Sequence, residues 1–278
     1  MFNAYVNGQW IQAEEKVLPV DERGHQFGDG VYEVVRIYDG KPFMMEEHLT
    51  RLLKSAEAIK INVEETIEDF SNLFLEAIEK SGESNCDIYI QITRGIVRRN
   101  HLFPKDVKPS ITMTIRPMEV TSMAVREEGK KVIFLEDERW KNCYIKSLNL
   151  LPNILAKQAA FEAGAFEAAL YTDEYITEGS SSNIYIVKDG HVQTTPLSRS
   201  ILAGITRQRV KQLSEEQGIE FIEESFTKQQ MLEADEAFLT STTNEIMPIV
   251  QVEDTVLGSG KMGPVTKQLV EAFFEKIK

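Results

Sequence analysis

Cys143-Tyr144-Ile145-Lys146-Ser147-Leu148-Asn149-Leu150-Leu151 sets a lysine in a largely apolar run that leads directly into a predicted helix. An amine in such a setting sheds part of its hydration and can attack a carbonyl to form a Schiff base. By itself the segment fits equally a surface lysine whose stem covers apolar neighbours. The elements on either side bear on the choice between these readings.

Upstream, the chain reads as an antiparallel sheet with helices. Tyr5-Val6, Asn7-Gly8 and Trp10-Ile11 form a hairpin signal. A strand over Val31–Tyr38 is closed by Asp39-Gly40, with Pro42-Phe43 beyond it. Leu49, Leu52, Leu53, Ala56 and Ile59 recur at helical spacing, and so do Ile67, Phe70, Leu73, Phe74, Ala77 and Ile78 after Thr66. Ile88, Ile90 and Ile92 alternate as a strand, as do Ile111, Met113 and Ile115. A linker is expected at 117–122, dividing a smaller domain (1–116) from a larger one (123–278). The larger domain starts with the strand Val132–Leu135. The lysine segment then feeds a helix from Leu150 to Ala163, with Pro152 in its first turn and Gly164 closing it. Strands near 168–171, 184–187 and 220–223 alternate with helices near 206–217 and 228–234. Glu236–Leu239 is read as the last strand, and a helix from Pro264 is expected to bury Leu269, Phe273 and Ile277. Mixed elements without a regular βαβ period indicate an α+β fold.

A net charge of −13 disfavours nucleic acid and anionic membranes as partners, but a local arginine cluster could still bind small anions. No apolar run approaches the ~18 residues of a membrane span. The first eight residues carry no secretory pattern, so a cytoplasmic location is expected. Cys86 and Cys143 are too few and too far apart for a disulfide framework. His25, His48, His101 and His191 lack paired-ligand spacing, so no metal site is expected.

Gly258-Ser259-Gly260-Lys261-Met262-Gly263 matches the glycine pattern of a dinucleotide loop, yet too little chain follows it for a second strand to supply the ribose-binding acid. It reads as a surface turn. More telling is Glu178 within Thr177-Glu178-Gly179-Ser180-Ser181-Ser182-Asn183, a carboxylate of the kind that holds a pyridinium proton. Gly204-Ile205-Thr206-Arg207 opens a helix whose first amides suit a phosphate. The hydroxyls of Thr240-Ser241-Thr242-Thr243 could close on the same anion, and Arg51 could add charge.

These blocks, in this order with His25-Gln26-Phe27-Gly28-Asp29-Gly30-Val31-Tyr32-Glu33, resemble the fold type IV aminotransferases, the branched-chain and D-amino-acid aminotransferase family, over nearly the whole chain. The resemblance implies a two-domain α+β fold with pyridoxal 5′-phosphate between the domains, working as a homodimer. By position, Lys146 would be the Schiff-base lysine and proton carrier, and Glu178 would pair with the pyridine nitrogen. Arg51, the amides of Ile205 and Thr206, and Thr242 would hold the phosphate. Leu202 would pack on the ring, and Ser181 would lie beside the cofactor.

Within the family, Arg98-Arg99-Asn100-His101 resembles the D-amino-acid transaminases. Their Arg-x-His pair, with a tyrosine at the position of Tyr32, traps the substrate carboxylate; the pair reaches in from the other subunit. Residues two apart in an extended segment face the same way, so Arg99 and His101 are expected to share a face while Arg98 points elsewhere. Ser241-Thr242-Thr243 also resembles the D-specific group. Transfer of an amino group between D-amino acids (D-alanine, D-glutamate) and 2-oxo acids is therefore expected. The alternatives are an L-branched-chain or broad-specificity aminotransferase and, third, an aminodeoxychorismate lyase.

Overall fold

A computed structural model describes residues 3–119 and 121–277. The chain forms two compact units. The first comprises the described residues up to Glu119 together with Ile145–Asn149, and the second comprises the rest. The sequence division at 117–122 did not foresee that five residues from the later part return to the first unit. Pro117 still belongs to a strand and Ser122 already caps a helix, while residue 120 of the expected linker, like the start of the segment read for a leader, lies outside the described residues.

In the first unit, β1 (Ala4–Val6), β2 (Gln9–Ile11), β3 (Gly30–Tyr38), β4 (Lys41–Pro42), β5 (Cys86–Thr93) and β6 (Ser110–Pro117) make an antiparallel sheet in the order β2-β1-β6-β5-β3-β4. A short helix, α1 (Arg23–Phe27), precedes β3, while α2 (Met45–Ala58) and α3 (Ile67–Ser81) follow β4. Strand alternation explains the core. Val31, Val35 and Ile37 of β3 and Ile88, Ile90 and Ile92 of β5 are fully buried, together with Leu49 and Leu52 of α2 and Phe70, Phe74 and Ala77 of α3. Thr66 and Asp69 form a capping box that starts α3 where the sequence indicates.

The second unit holds α4 (Met123–Glu128), β7 (Lys130–Glu136), α5 (Leu151–Glu162), β8 (Glu167–Thr172), β9 (Tyr175–Gly179), β10 (Asn183–Lys188), β11 (His191–Thr194), α6 (Ile205–Glu216), β12 (Phe221–Glu223), α7 (Lys228–Leu232), β13 (Glu236–Ser241), β14 (Glu245–Val252), β15 (Thr255–Val256) and α8 (Pro264–Glu275). Its sheet runs β12-β11-β10-β13-β14-β7-β8-β9, with β15 on β14. Parallel pairs at β11–β12, β14–β7 and β7–β8 mix with antiparallel ones, as befits an α+β fold.

Two expectations need correction here. β13 is not the last strand: β14 follows after a tight turn, with Pro248 in its middle, a residue that sheets seldom hold away from an edge. The proline is tolerated because the ladder to β7 starts only at Ile249. Ile277 lies past the end of α8 and is half-buried, whereas Leu269, Val270 and Phe273 carry the buried face. Helix α4 and strands β9 and β11 were unforeseen, being too short to show a period. Among the described residues, no helix is long and apolar enough to cross a membrane.

Candidate active site

In the first unit the lysine segment runs along the start of β3. Tyr32 N–H donates to the Lys146 carbonyl at 3.1 Å, and Leu148 N–H to the Gly30 carbonyl at 3.0 Å. Gly30 permits this approach, because a Cβ there would meet the Ile92 carbonyl oxygen at 2.6 Å and Leu148 Cδ1 at 2.8 Å. The Lys146 amide donates to Ser55 Oγ on α2 at 3.2 Å. Lys146 is half-buried; its Nζ donates to Tyr32 Oη at 3.4 Å and lies 4.4 Å from the centre of that ring. Tyr32 stacks on Tyr89, and burial pushes the Tyr89 hydroxyl up to about 12. Tyr32 therefore joins the lysine it precedes by more than a hundred residues.

The next residue, Glu33, points the other way, into the core row of Val31 and Val35, and is fully buried. A carboxylate there must be paired. His48 and Arg51, three apart on one face of α2, meet it: Arg51 Nε and Nη2 donate at 2.6 and 2.9 Å, and His48 Nδ1 lies 2.8 Å away. Although burial raises Glu33, Arg51 and His48 hold its carboxyl far below the usual range. Burial lowers His48, so a neutral imidazole donates through Nδ1–H. Arg51, expected to face a phosphate, is thus oriented by an acid that was not nominated from the sequence.

Arg98–His101 is not extended: it lies in an exposed loop with bends between β5 and β6, so strand geometry does not set its register. Arg99 and His101 nevertheless share a neighbour. The Arg99 guanidinium lies 4.2 Å from the centre of the Phe27 ring, and the His101 ring 5.5 Å from it. Arg98 makes neither contact. Within one chain, Tyr32 sits with Lys146, whereas Arg99 and His101 sit with Phe27.

In the second unit, Glu178 is the penultimate residue of β9 and is buried. Its Oε2 accepts from Asn183 Nδ2 at 3.1 Å and from the Leu202 amide at 3.0 Å, and its Oε1 accepts from Arg139 Nη1. Arg139 was not nominated from the sequence. It is held in turn by Asp137, whose oxygens accept from Nε at 2.8 Å and Nη2 at 2.7 Å, and Thr177 Oγ1 donates to Asp137 at 2.7 Å. The available signal was Asp137-x-Arg139, an acid and a base two apart just beyond β7 and shortly before the lysine. In this cluster two buried acids share one guanidinium, leaving one negative charge in excess. Burial accordingly pushes the Glu178 carboxyl above its ordinary range, against the pull of Arg139 and the Leu202 amide.

Asn183 gathers the remaining candidates. It opens β10 opposite Thr240 of β13, and its amide also donates to the Leu202 carbonyl at 3.0 Å. It also abuts Gly204, where an added Cβ would lie 2.2 Å from Asn183 Oδ1. Gly204 caps α6 without any side-chain acceptor, so the helix presents the amides of Ile205 and Thr206 uncapped by a side chain. Thr242 lies in the turn after β13. Ser181 is exposed in the loop after β9, its amide and hydroxyl both donating to the buried Glu167 at 3.2 and 3.3 Å.

This donor set fits pyridoxal phosphate. The excess negative charge at Glu178 calls for a cationic N–H, and the helix start at Ile205 suits a phosphate. Gly258–Gly263 is a turn before α8, as expected of a decoy.

Comparison with known proteins agrees. The family model described as amino-transferase class IV matches residues 30–252. A D-alanine aminotransferase of Staphylococcus haemolyticus is 41% identical, over 100% of this chain and 99% of that one. Among solved structures, the branched-chain amino acid aminotransferase of Escherichia coli superposes with a TM-score of 0.93 at 28% identity, covering 100% of this chain and 95% of that one. The branched-chain aminotransferase of the thermophilic archaeon Thermoproteus uzoniensis, with norvaline, gives a TM-score of 0.89 at 27% identity, covering 99% of this chain and 94% of that one. The chain belongs to the class IV aminotransferases, which work with pyridoxal phosphate.

Proposed function

We propose that the chain is a D-amino-acid transaminase, moving the amino group of D-alanine or D-glutamate to a 2-oxo acid. The observation that carries this reading is the Arg99–His101 pair gathered on Phe27, in a chain that aligns end to end with a D-alanine aminotransferase. When bound, pyridoxal phosphate supplies an aldehyde that links to amines and a ring that withdraws the electrons left behind by a departing Cα proton.

The protein's share is positional. Lys146 Nζ is the amine that would hold the cofactor covalently, and it would carry the proton between the substrate Cα and the cofactor. Tyr32 Oη, within reach of that amine, orients it. Glu178 would hold the ring N–H, and Arg139 and Asn183 hold Glu178. The amides of Ile205 and Thr206, Thr242 and the Glu33-oriented Arg51 would hold the phosphate, and Leu202 and Ser181 would flank the cofactor. The substrate carboxylate is met by Tyr32 of one chain and by Arg99 and His101 of a second copy. A homodimer is also supported by the apolar face that α5 leaves in solvent at Leu151, Ile154, Leu155 and Phe161.

The test compares D-alanine with L-leucine as amino donors, in the parent and in Arg99→Ala and Arg98→Ala. Arg99→Ala should lower kcat/KM for D-alanine by about one to two decades, the loss of a charge-assisted pair. Arg98→Ala should do far less. If L-leucine is the better donor and neither arginine matters, the enzyme is of the branched-chain type.

A further inference from the structure

The loop between β5 and β6 carries Arg98, Arg99, Asn100, His101, Leu102 and Phe103, all exposed. A loop of this kind would ordinarily sample many conformations, and a long side chain such as arginine loses rotamer freedom when fixed. Here the loop is anchored from beneath at several points. Arg23 Nη1 donates to the Asn100 carbonyl at 2.6 Å, and the Asn100 side chain accepts from the Leu102 amide at 3.0 Å. The Arg94 guanidinium lies 3.6 Å from the centre of the Phe103 ring. Asp29 joins the two arginines, accepting from Arg23 Nε at 2.7 Å and from Arg94 Nε and Nη2 at 2.9 Å each. Arg94 is tied further to the Ile59 and Lys60 carbonyls at 2.8 and 2.7 Å.

Phe27 stands at the centre. It ends α1, where Gly28 in the left-handed region (φ 64°) turns the chain towards Asp29. Its ring is approached by three cationic or aromatic groups: Arg23 at 4.8 Å, Arg99 at 4.2 Å and His101 at 5.5 Å. Arg99 Nη1 also donates to the Gln26 carbonyl at 3.3 Å, and its other N–H groups remain as donors. Two arginines on one aspartate form a largely buried cluster with a positive charge in excess, and removing one partner from such a cluster is costly. Burial opposes it, yet Arg94 and Arg23 keep Asp29 below its ordinary range, so the clamp stays charged.

We propose that Phe27 is a positioning residue for the substrate-carboxylate trap, aligning Arg99 and His101 on one aromatic platform, and that Arg23, Asp29 and Arg94 clamp the loop that carries them. The inference rests on the trap reading given above. Phe27 does not touch the substrate; it sets the direction in which Arg99 presents its paired N–H groups. Loss of the aromatic face should weaken carboxylate binding and leave the chemical step alone.

The test uses the full-length holoenzyme with Phe27→Leu, Phe27→Trp, Arg99→Ala and the Phe27→Leu/Arg99→Ala double variant. KM and kcat are measured for D-alanine and D-glutamate, alongside cofactor affinity and Tm. Phe27→Leu should raise KM about twofold to fivefold, the range of an exposed cation–π contact, with kcat, cofactor affinity and Tm close to the parent. Phe27→Trp should restore KM, and the double variant should bind no worse than Arg99→Ala alone. If Arg99→Ala raises KM but Phe27→Leu does not, the platform is refuted and the trap stands. If Arg99→Ala has no effect, the trap reading itself fails. A Phe27→Leu that lowers kcat, Tm and cofactor affinity together, without rescue by tryptophan, would mean mere packing and overturn the proposal. Should Phe27→Leu not fold, Arg23→Gln, which frees the Asn100 carbonyl and loosens the clamp while Phe27 itself stays in place, must raise KM in the same way.

Discussion

Replacing Arg139 by methionine keeps most of the buried volume and removes the charge that Asp137 and Glu178 share. Glu178 is 4% exposed, and burial already drives its carboxyl upward. The hydrogen bond from Arg139 Nη1 is charge-assisted and contributes about 1.5–3 kcal/mol to keeping the carboxylate ionised. At about 1.4 kcal/mol per unit, its loss should raise the carboxyl by a further one to two units. The sign follows from the role: Glu178 acts as an anion, so the variant should lose activity at a higher pH than the parent as the solution is acidified. The acid limb of kcat for D-alanine, followed over about pH 5 to 9, should therefore move up by one to two units. Asp137 would also lose its partner, and breaking a buried pair costs about 3–5 kcal/mol, so folding is checked by circular dichroism. Arg139→Lys retains the charge without the fork and should give an intermediate limb. If the variants fold and their acid limb coincides with that of the parent, Arg139 does not tune Glu178, and the charge argument is wrong.

Lys146→Ala should abolish turnover, and borohydride reduction of the parent followed by peptide mapping should find the cofactor fixed at Lys146; attachment elsewhere would remove it from the mechanism. Glu33 is held far below its ordinary value of 4.5, so its stabilisation is complete above that pH and is lost as pH falls through the folded-state value. The difference in urea midpoint between the parent and Glu33→Gln should thus be largest near neutrality and shrink below about pH 4.5. A difference independent of pH would mean that the Glu33–Arg51–His48 cluster contributes shape and not charge.

Much of this molecule was legible from the chain alone, and the reason is local. The helical spacing of Leu49, Leu52 and Ala56 and the alternation of Ile88, Ile90 and Ile92 record which face each element buries, and that face is buried in the structure. Thr66 and Asp69 mark a helix start because a capping box needs nothing beyond four consecutive residues. Lys146, Glu178 and Gly204-Ile205-Thr206 stood out as a chemical set whose order along the chain resembles a family. What tertiary structure decided is pairing across distance. No periodicity shows that Ile145–Asn149 leaves its neighbours to lie along β3, bringing Lys146 to Tyr32, or that Pro248 is harmless because the β7 ladder begins one residue later. Nor does any local pattern reveal that Glu33 would be met by Arg51 and His48, Glu178 by Arg139, or Arg99 and His101 by Phe27. A buried charge in the sequence declares only that it needs a partner. Which side chain answers depends on how strands and helices far apart in the chain come to face one another.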